Sequence, residues 1–428
     1  MRNRIVHIIG ALLLTFSTAQ AQQSMDEIAA KYPFLDTASM HMQYFGDSAA
    51  LENFYRLLDK VIFEGKGKVN VVHMGGSHVQ GGTLSHTLRR NLGVLAPELQ
   101  VERGFFFPHT LARTNMPSNI HVKRIGEWQG CRNSVPGNDC PWGVSGINAI
   151  AVSTSSAFAL QSYRGAGEAY QFTELRVFEH FESATMDPVI YPVPDSTLVD
   201  SVAGVRRLFY NELQDSIYVS FEMSKDSVKR RMDPRYVLQG FQMVMDTSGL
   251  VYHALGVNGA STKSFLKSEN LEEQAAYLHP DLVIFGLGIN DAYKPDSEWH
   301  PEDYEARYDT LVAQFLAVNP NCNFIFMTNN DSYYKRRYPN KHALDVQEVM
   351  KRLSAKHNAV YWDLFEVMGG LGSVAIWEEN GLAKSDKIHF TRRGYMLNSD
   401  LLFWAIWEGY EAHLKALAAQ DQLNTPAQ

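Results

Sequence analysis

The sequence is short of several things, and each shortage removes a class of function. Three cysteines in 428 residues exclude a disulfide-dense scaffold and a paired-cysteine zinc site. The fifteen histidines are scattered, with no His-Glu-x-x-His spacing, so neither a metal nor another cofactor is implied. Positive charge is scarce too. The net charge is −8 and no basic block occurs, which argues against nucleic acid as a partner, because phosphate binding relies on clustered Lys and Arg. Long apolar runs are missing: Ile5 to Phe16 falls short of the ~20 residues a membrane span requires. There is no internal repeat and no low-complexity linker.

That apolar run, with Arg2 and Arg4 before it and Ala19-Gln20-Ala21 after it, has the three parts of a cleavable secretion signal. Residues 1–21 are expected to be removed, leaving no membrane span and a periplasmic or secreted chain in an oxidising compartment. There the spacing of Cys131 and Cys140, around a loop with Pro136 and Gly137, allows a small disulfide loop. Cys322, in an apolar strand pattern, reads as a buried thiol. Apolar residues are 45% and charged residues 20%, an ordinary globular composition. The length suits one large α/β domain with an insertion, or two domains.

The most informative stretch is Val69 to Gly82, a β-branched run that ends in glycines around Ser77. It reads as a buried strand, and Thr83 to Leu95 reads as a helix. A serine on such a turn sits at the carboxyl edge of a sheet, where open α/β folds bind ligands. Phosphate cradles and plain tight turns share this pattern, so the serine needs partners. Met25 to Gly65 is helical in character, with Leu51, Phe54, Tyr55, Leu58 and Val61 on one face. From about residue 126 to 246 short alternating segments predict a β-sandwich inserted into the α/β domain. Strands resume at Val251 to Leu255, Leu282 to Leu287, Asn323 to Met327 and Val360 to Trp362, with helices at Pro301 to Leu316 and Ala343 to Lys356 between them. The expected α/β domain therefore comprises residues 22–125 and 247–417, closed by a helix from Leu397 to Leu417, with a frayed tail at 418–428.

Partners for Ser77 stand at the other strand ends. Asp386 and His389, three apart on a turn, can face each other, so that Asp386 holds the imidazole and His389 deprotonates Ser77. Gly259 in Gly256-Val257-Asn258-Gly259 and Asn290 in Gly288-Ile289-Asn290-Asp291 supply neutral donors of the kind an oxyanion needs. The four blocks, in this order, resemble the SGNH, or GDSL-like, hydrolase superfamily. The resemblance implies a flavodoxin-like three-layer fold, a triad of Ser77, His389 and Asp386, and an oxyanion hole from the Ser77 N–H, the Gly259 N–H and the Asn290 side chain. One departure is plain: the family's Gly-Asp-Ser is Gly75-Gly76-Ser77 here, and the missing carboxylate normally braces the serine turn.

The Ser-His of the first block, the late Asp-x-x-His and the β-rich insertion look most like the subgroup of peptidoglycan and polysaccharide O-acetylesterases, whose insertion resembles a carbohydrate-binding module. An acylated glycan is the expected partner; oligomeric state stays open. Trp128, Trp142, Tyr163, Tyr170 and Tyr191 in the insertion offer aromatic faces for sugar, although most aromatics on alternating strands pack into a core. Tyr333, Tyr334, Lys335 and Arg336 read as a solvated loop or as part of the site's lining. Three alternatives keep the same residues: a polysaccharide O-acetyltransferase, a lipase or thioesterase, and an inactive glycan-binding protein.

Overall fold

Alternation along the central strands decides the layering of the molecule. In the computed structural model, which describes residues 24–423 apart from 47, 48, 98, 166 and 167, Val69 and Val71 share one apolar cluster with Leu282, Ile284, Ile325 and Val360. Val72 and Met74 share another with Val283, Phe285, Phe324, Phe326 and Tyr361. Successive side chains of a strand point to opposite faces, so the sheet is covered on both sides. Helices Glu52–Glu64, Thr83–Leu92 and Arg392–Leu423 cover one face. Helices Leu271–Leu278, Pro301–Val318 and His342–Lys356 cover the other.

The strand order across this sheet is Gln43–Tyr44, Val360–Trp362, Asn323–Met327, Leu282–Gly286, Lys68–Gly75, Gly249–Gly256 and Val101–Glu102. All pairings are parallel except that of Gln43–Tyr44. Counting the five main strands along the chain gives the order 2-1-3-4-5, the flavodoxin-like arrangement, with its switch point beside the Lys68–Gly75 strand. Residues 1–21, where a secretion signal is expected, lie outside the described residues. Among those described, no helix is long and apolar enough to cross a membrane.

Between the first and second main strands the chain builds two antiparallel sheets. One runs Ser196–Asp200, Val205–Gln214, Phe172–Glu179, Tyr236–Val244, Ile147–Ala151, Trp128–Arg132, with Gly104–Phe106 also on Tyr236–Val244. The second runs Met186–Tyr191, Ser216–Met223, Ala157–Gly165, Ile120–Ile125. They face each other: Trp128 of the first lies 5.7 Å from both Phe158 and Phe221 of the second, ring centre to ring centre. The inserted sandwich therefore starts near Gly104, earlier than the expected 126. Its early strands hide in the sequence because Gly104–Phe106 is short and wholly buried, while Ile120–Ile125 alternates only from Ile120 to Lys123 and is exposed at Arg124 and Ile125.

Two other expectations shift. The helical stretch from Met25 to Gly65 is broken into Met25–Lys31, the edge strand Gln43–Tyr44 and Glu52–Glu64. Phe54, Tyr55, Leu58 and Val61 are the buried face of the last piece. The final helix starts at Arg392 and runs to Leu423, past the expected end at Leu417.

His413 ties that helix to Glu52–Glu64, with Nδ1 3.0 Å from Glu52 Oε2 and Nε2 2.9 Å from Asp59 Oδ2. Burial lowers the His413 pKa, but the bonds to and charges of Asp59 and Glu52 outweigh it, and the net shift is upward. The stabilisation is therefore complete below the unfolded value of about 6.5 and is lost as pH rises through the raised folded value. Melting curves from about pH 6 to about pH 9 should show the native protein losing Tm relative to His413→Gln. Parallel curves would show that the imidazolium contributes nothing.

Candidate active site

Three motif turns leave the central sheet at one level because of strand register. Gly75 is paired with Gly256 on one side and Gly286 on the other, so the segments that follow, carrying Ser77, Gly259 and Asn290, emerge side by side. Ser77 opens a single helical turn, Ser77–Gln80, directly after its strand. The Asp386–His389 turn comes in from the segment before the last helix. Its bend is made by Lys387 in the left-handed region at φ +55°.

The structure brings the expected residues together. Ser77 Oγ lies 2.8 Å from His389 Nε2, and His389 Nδ1 lies 2.9 Å from Asp386 Oδ2. Asp386 Oδ1 accepts the backbone N–H groups of Ile388 at 3.0 Å and His389 at 2.9 Å. Burial pushes the Asp386 carboxyl up, but these N–H bonds and the bond to the imidazole outweigh it and hold it below its ordinary value. It stays a carboxylate. A hydroxyl bonded to an imidazole whose far nitrogen meets a fixed carboxylate can lose its proton as it attacks a carbonyl.

Ser77, Gly259, Asn290 and His389 line one cleft of about 860 Å³, with His78, Asn115, Asn258, Tyr293 and Tyr395 among the other walls. Asn290 Nδ2 donates to Ala260 O at 2.9 Å, which uses one amide hydrogen and leaves the second for a ligand. Gly76 explains how Asn290 comes so close. A Cβ there would sit 3.2 Å from Asn290 Nδ2 and 3.5 Å from Ala260 O, so the residue that replaces the family's aspartate also makes room for the asparagine amide. At Gly288, with φ +143°, a Cβ would fall 2.4 Å from the Tyr304 hydroxyl. That hydroxyl and the one of Tyr308 both donate to Leu287 O at 2.9 Å, fixing the Asn290 turn from below.

Bracing of the serine turn comes from residues the sequence reading passed over. Gln80 is buried; its Oε1 accepts the Asn258 N–H at 2.6 Å, and its Nε2 donates to Thr114 Oγ1 at 3.1 Å and Asn115 O at 3.0 Å. Ser134 Oγ donates to Asn258 O at 2.7 Å. Ser134 lies in the loop closed by the Cys131–Cys140 disulfide, so the insertion holds the Gly259 turn as well as walling the cleft through Asn115. Asp291 is buried and accepts the Thr262 N–H at 3.0 Å and its hydroxyl at 2.6 Å. It joins the second and third motif turns. Gln80 and Asp291 are polar residues within or beside a motif, and Thr114, Asn115 and Ser134 carry no sequence signal.

His78 lies beside the catalytic geometry, its ring centre 5.3 Å from that of His389 and its Nδ1 2.9 Å from the Tyr395 hydroxyl. Burial, and next the neighbouring His389, lower its pKa to about 3, so it stays neutral. Of the segment 333–336, Arg336 lines the cleft, Tyr334 packs on Tyr293 at 5.0 Å, and Lys335 N–H donates to the Tyr293 hydroxyl at 2.7 Å. Trp128, Trp142 and Tyr170 are buried, and Tyr163 packs on His121 at 4.8 Å. Tyr191 is exposed, opposite Tyr218 on the next strand. The buried thiol at Cys322 is as expected.

Residues 220–397 match the GDSL-like Lipase/Acylhydrolase family. That stretch is less than half of the chain, and over it the sequence is similar to the family. The matched stretch contains Gly259, Asn290, Asp386 and His389 but stops short of Ser77, which the inserted sandwich separates from them. A solved structure of a peptidoglycan O-acetylesterase shares the fold with a TM-score of 0.68, at 17% identity, over 87% of this chain and 99% of that one. A lipase/acylhydrolase from Enterococcus faecalis matches at 21% identity over 38% of this chain and 76% of that one, with a TM-score of 0.30. An acetyl xylan esterase matches at 17% identity over 42% and 87%, also with a TM-score of 0.30. No curated protein matches the chain.

Proposed function

We propose that this protein is an exported serine esterase of the GDSL-like kind that removes O-acetyl or similarly small acyl groups from a glycan. The observation that carries the reading is the line from Ser77 Oγ through His389 to Asp386 inside a cleft that also presents the Asn290 amide and Gly259. Ser77 attacks the ester carbonyl while His389 takes its proton. The oxyanion settles against the Ser77 and Gly259 N–H groups and the free hydrogen of Asn290 Nδ2. His389 then gives the proton to the leaving sugar oxygen, and water releases acetate from the acyl-serine by the reverse route.

Several further points support the reading. The fold shared with a peptidoglycan O-acetylesterase extends over the insertion as well as the hydrolase part, since it covers 87% of this chain; peptidoglycan is therefore the first substrate to test. The Cys131–Cys140 disulfide suits an oxidising compartment, in keeping with the secretion signal in the sequence. Acetate release should be measured from O-acetylated peptidoglycan, O-acetylated xylan and p-nitrophenyl acetate. Release from a glycan supports the esterase; turnover confined to long-chain p-nitrophenyl esters would overturn it in favour of a lipase.

Asn290→Ala should lower kcat on p-nitrophenyl acetate by about 10²–10³-fold, the loss that follows removal of one oxyanion donor, with KM changed far less. A kcat within a few-fold of the native protein would remove Asn290 from the oxyanion site.

A further inference from the structure

The cleft beside Ser77 is cationic in a chain that is otherwise acidic. Arg336, Lys384 and Arg392 line it, and none of the described lining residues is Asp or Glu. They arrive from three separate places: a short hairpin, the segment before Asp386, and the first residue of the last helix. Elsewhere the chain pairs many of its arginines, as in Arg206 with Glu179, Arg207 with Glu174 and Arg352 with Glu305. These three have no carboxylate partner among the described residues, although the net charge is −8.

Neither arginine is placed where stability would put it. Arg336 and the preceding Lys335 are non-glycine residues in the left-handed region, at φ +59° and +51°, a conformation that costs free energy and gathers at functional sites. Arg392 and Arg393 head the last helix, whose first turn contains no acidic residue. A helix N-terminus carries partial positive charge and favours Asp or Glu, so the arginine there raises a positive potential that the dipole already supplies.

We propose that the preferred substrate of the Ser77 site is an acylated glycan bearing a carboxylate near the ester, held by Arg336, Lys384 and Arg392. The inference rests on the esterase reading and adds the charge of the sugar to it. Side-chain cations spread around a cleft with aromatic walls at Tyr293, Phe390 and Tyr395 suit a sugar ring with one pendant anion. A phosphate is more often cradled by converging backbone N–H groups. Attraction of this kind fades with salt, because the Debye length shortens to about 10 Å at 0.1 M.

The test compares an O-acetylated oligogalacturonide with the same oligomer after carboxyl reduction. Calorimetric binding to the Ser77→Ala protein should favour the anionic oligomer by about tenfold at low ionic strength. The preference should shrink at about 0.5 M salt, and again in the same protein carrying Arg336→Gln, Lys384→Gln and Arg392→Gln. Equal affinity for the two oligomers overturns the proposal, and so does a preference that survives loss of all three cations. The comparison on Ser77→Ala alone already decides it if the multiple variant does not fold. Acetate release by the native protein separates the two readings. Equal release from both oligomers keeps the esterase and removes the charge selection. Charge-dependent binding with no release from any ester supports the cationic site and removes the esterase.

Discussion

Ser77→Ala should lower turnover of p-nitrophenyl acetate by at least about 10⁴-fold while leaving the fold unchanged. The magnitude is that of losing the nucleophile of a serine triad, where the residual rate comes from the oxyanion donors and binding alone. The fold should survive because Ser77 contributes one hydroxyl, and its partner, the His389 Nε2, faces the open cleft and can turn to water. The turn itself is held by other bonds: Gln80 N–H to Gly76 O at 3.1 Å and Gly81 N–H to Ser77 O at 2.9 Å. The circular dichroism spectrum should match that of the native protein, and the stability from thermal melting should lie within about 1 kcal/mol of it, the centre of the range for single substitutions. Equal, non-zero rates for native and variant protein would show that a different group performs the attack.

Asp386→Asn is the second large effect, expected at about 10⁴-fold in kcat with little change in KM. The reason lies in the division of labour between the two carboxylate oxygens. Oδ1 accepts two backbone N–H groups, and Oδ2 faces His389 Nδ1. An amide of the same shape keeps its single oxygen on the backbone donors and turns its NH₂ toward Nδ1. The imidazole must then accept at Nδ1 and carry its proton on Nε2, which faces Ser77 Oγ and can no longer act as a base. The wrong tautomer, more than lost charge, disables the site. A rate within about tenfold of native would mean that His389 is oriented by something other than this carboxylate.

Much of this was legible in the chain itself, and the reason differs from element to element. The Lys68–Gly75, Leu282–Gly286 and Asn323–Met327 strands are buried on both faces, so they show as mainly apolar runs, broken in the first by Asn70 and His73 between Val69 and Met74. Ser77, Gly259, Asn290, Asp386 and His389 stood out because each sits in a short glycine- or polar-rich segment between apolar runs. The supports of those turns did not stand out. Gln80, Thr114, Ser134 and Asp291 act through hydrogen bonds to residues distant in the sequence, and a polar residue whose partners lie far along the chain looks like any other. The early edge of the sandwich was hidden for the same kind of reason, since Ile120–Ile125 faces water along most of its length.

Local sequence by itself marked the candidate residues: the motif spacing, the glycine turns and the Asp-x-x-His bend are properties of a few consecutive residues. Only the tertiary structure decided what surrounds them. Register between three parallel strands sets the motif turns side by side, the inserted sandwich reaches back to brace the Gly259 turn, and three cations from separate elements meet over one cleft. Such convergence depends on packing between segments far apart along the chain, and no window of neighbouring residues records it.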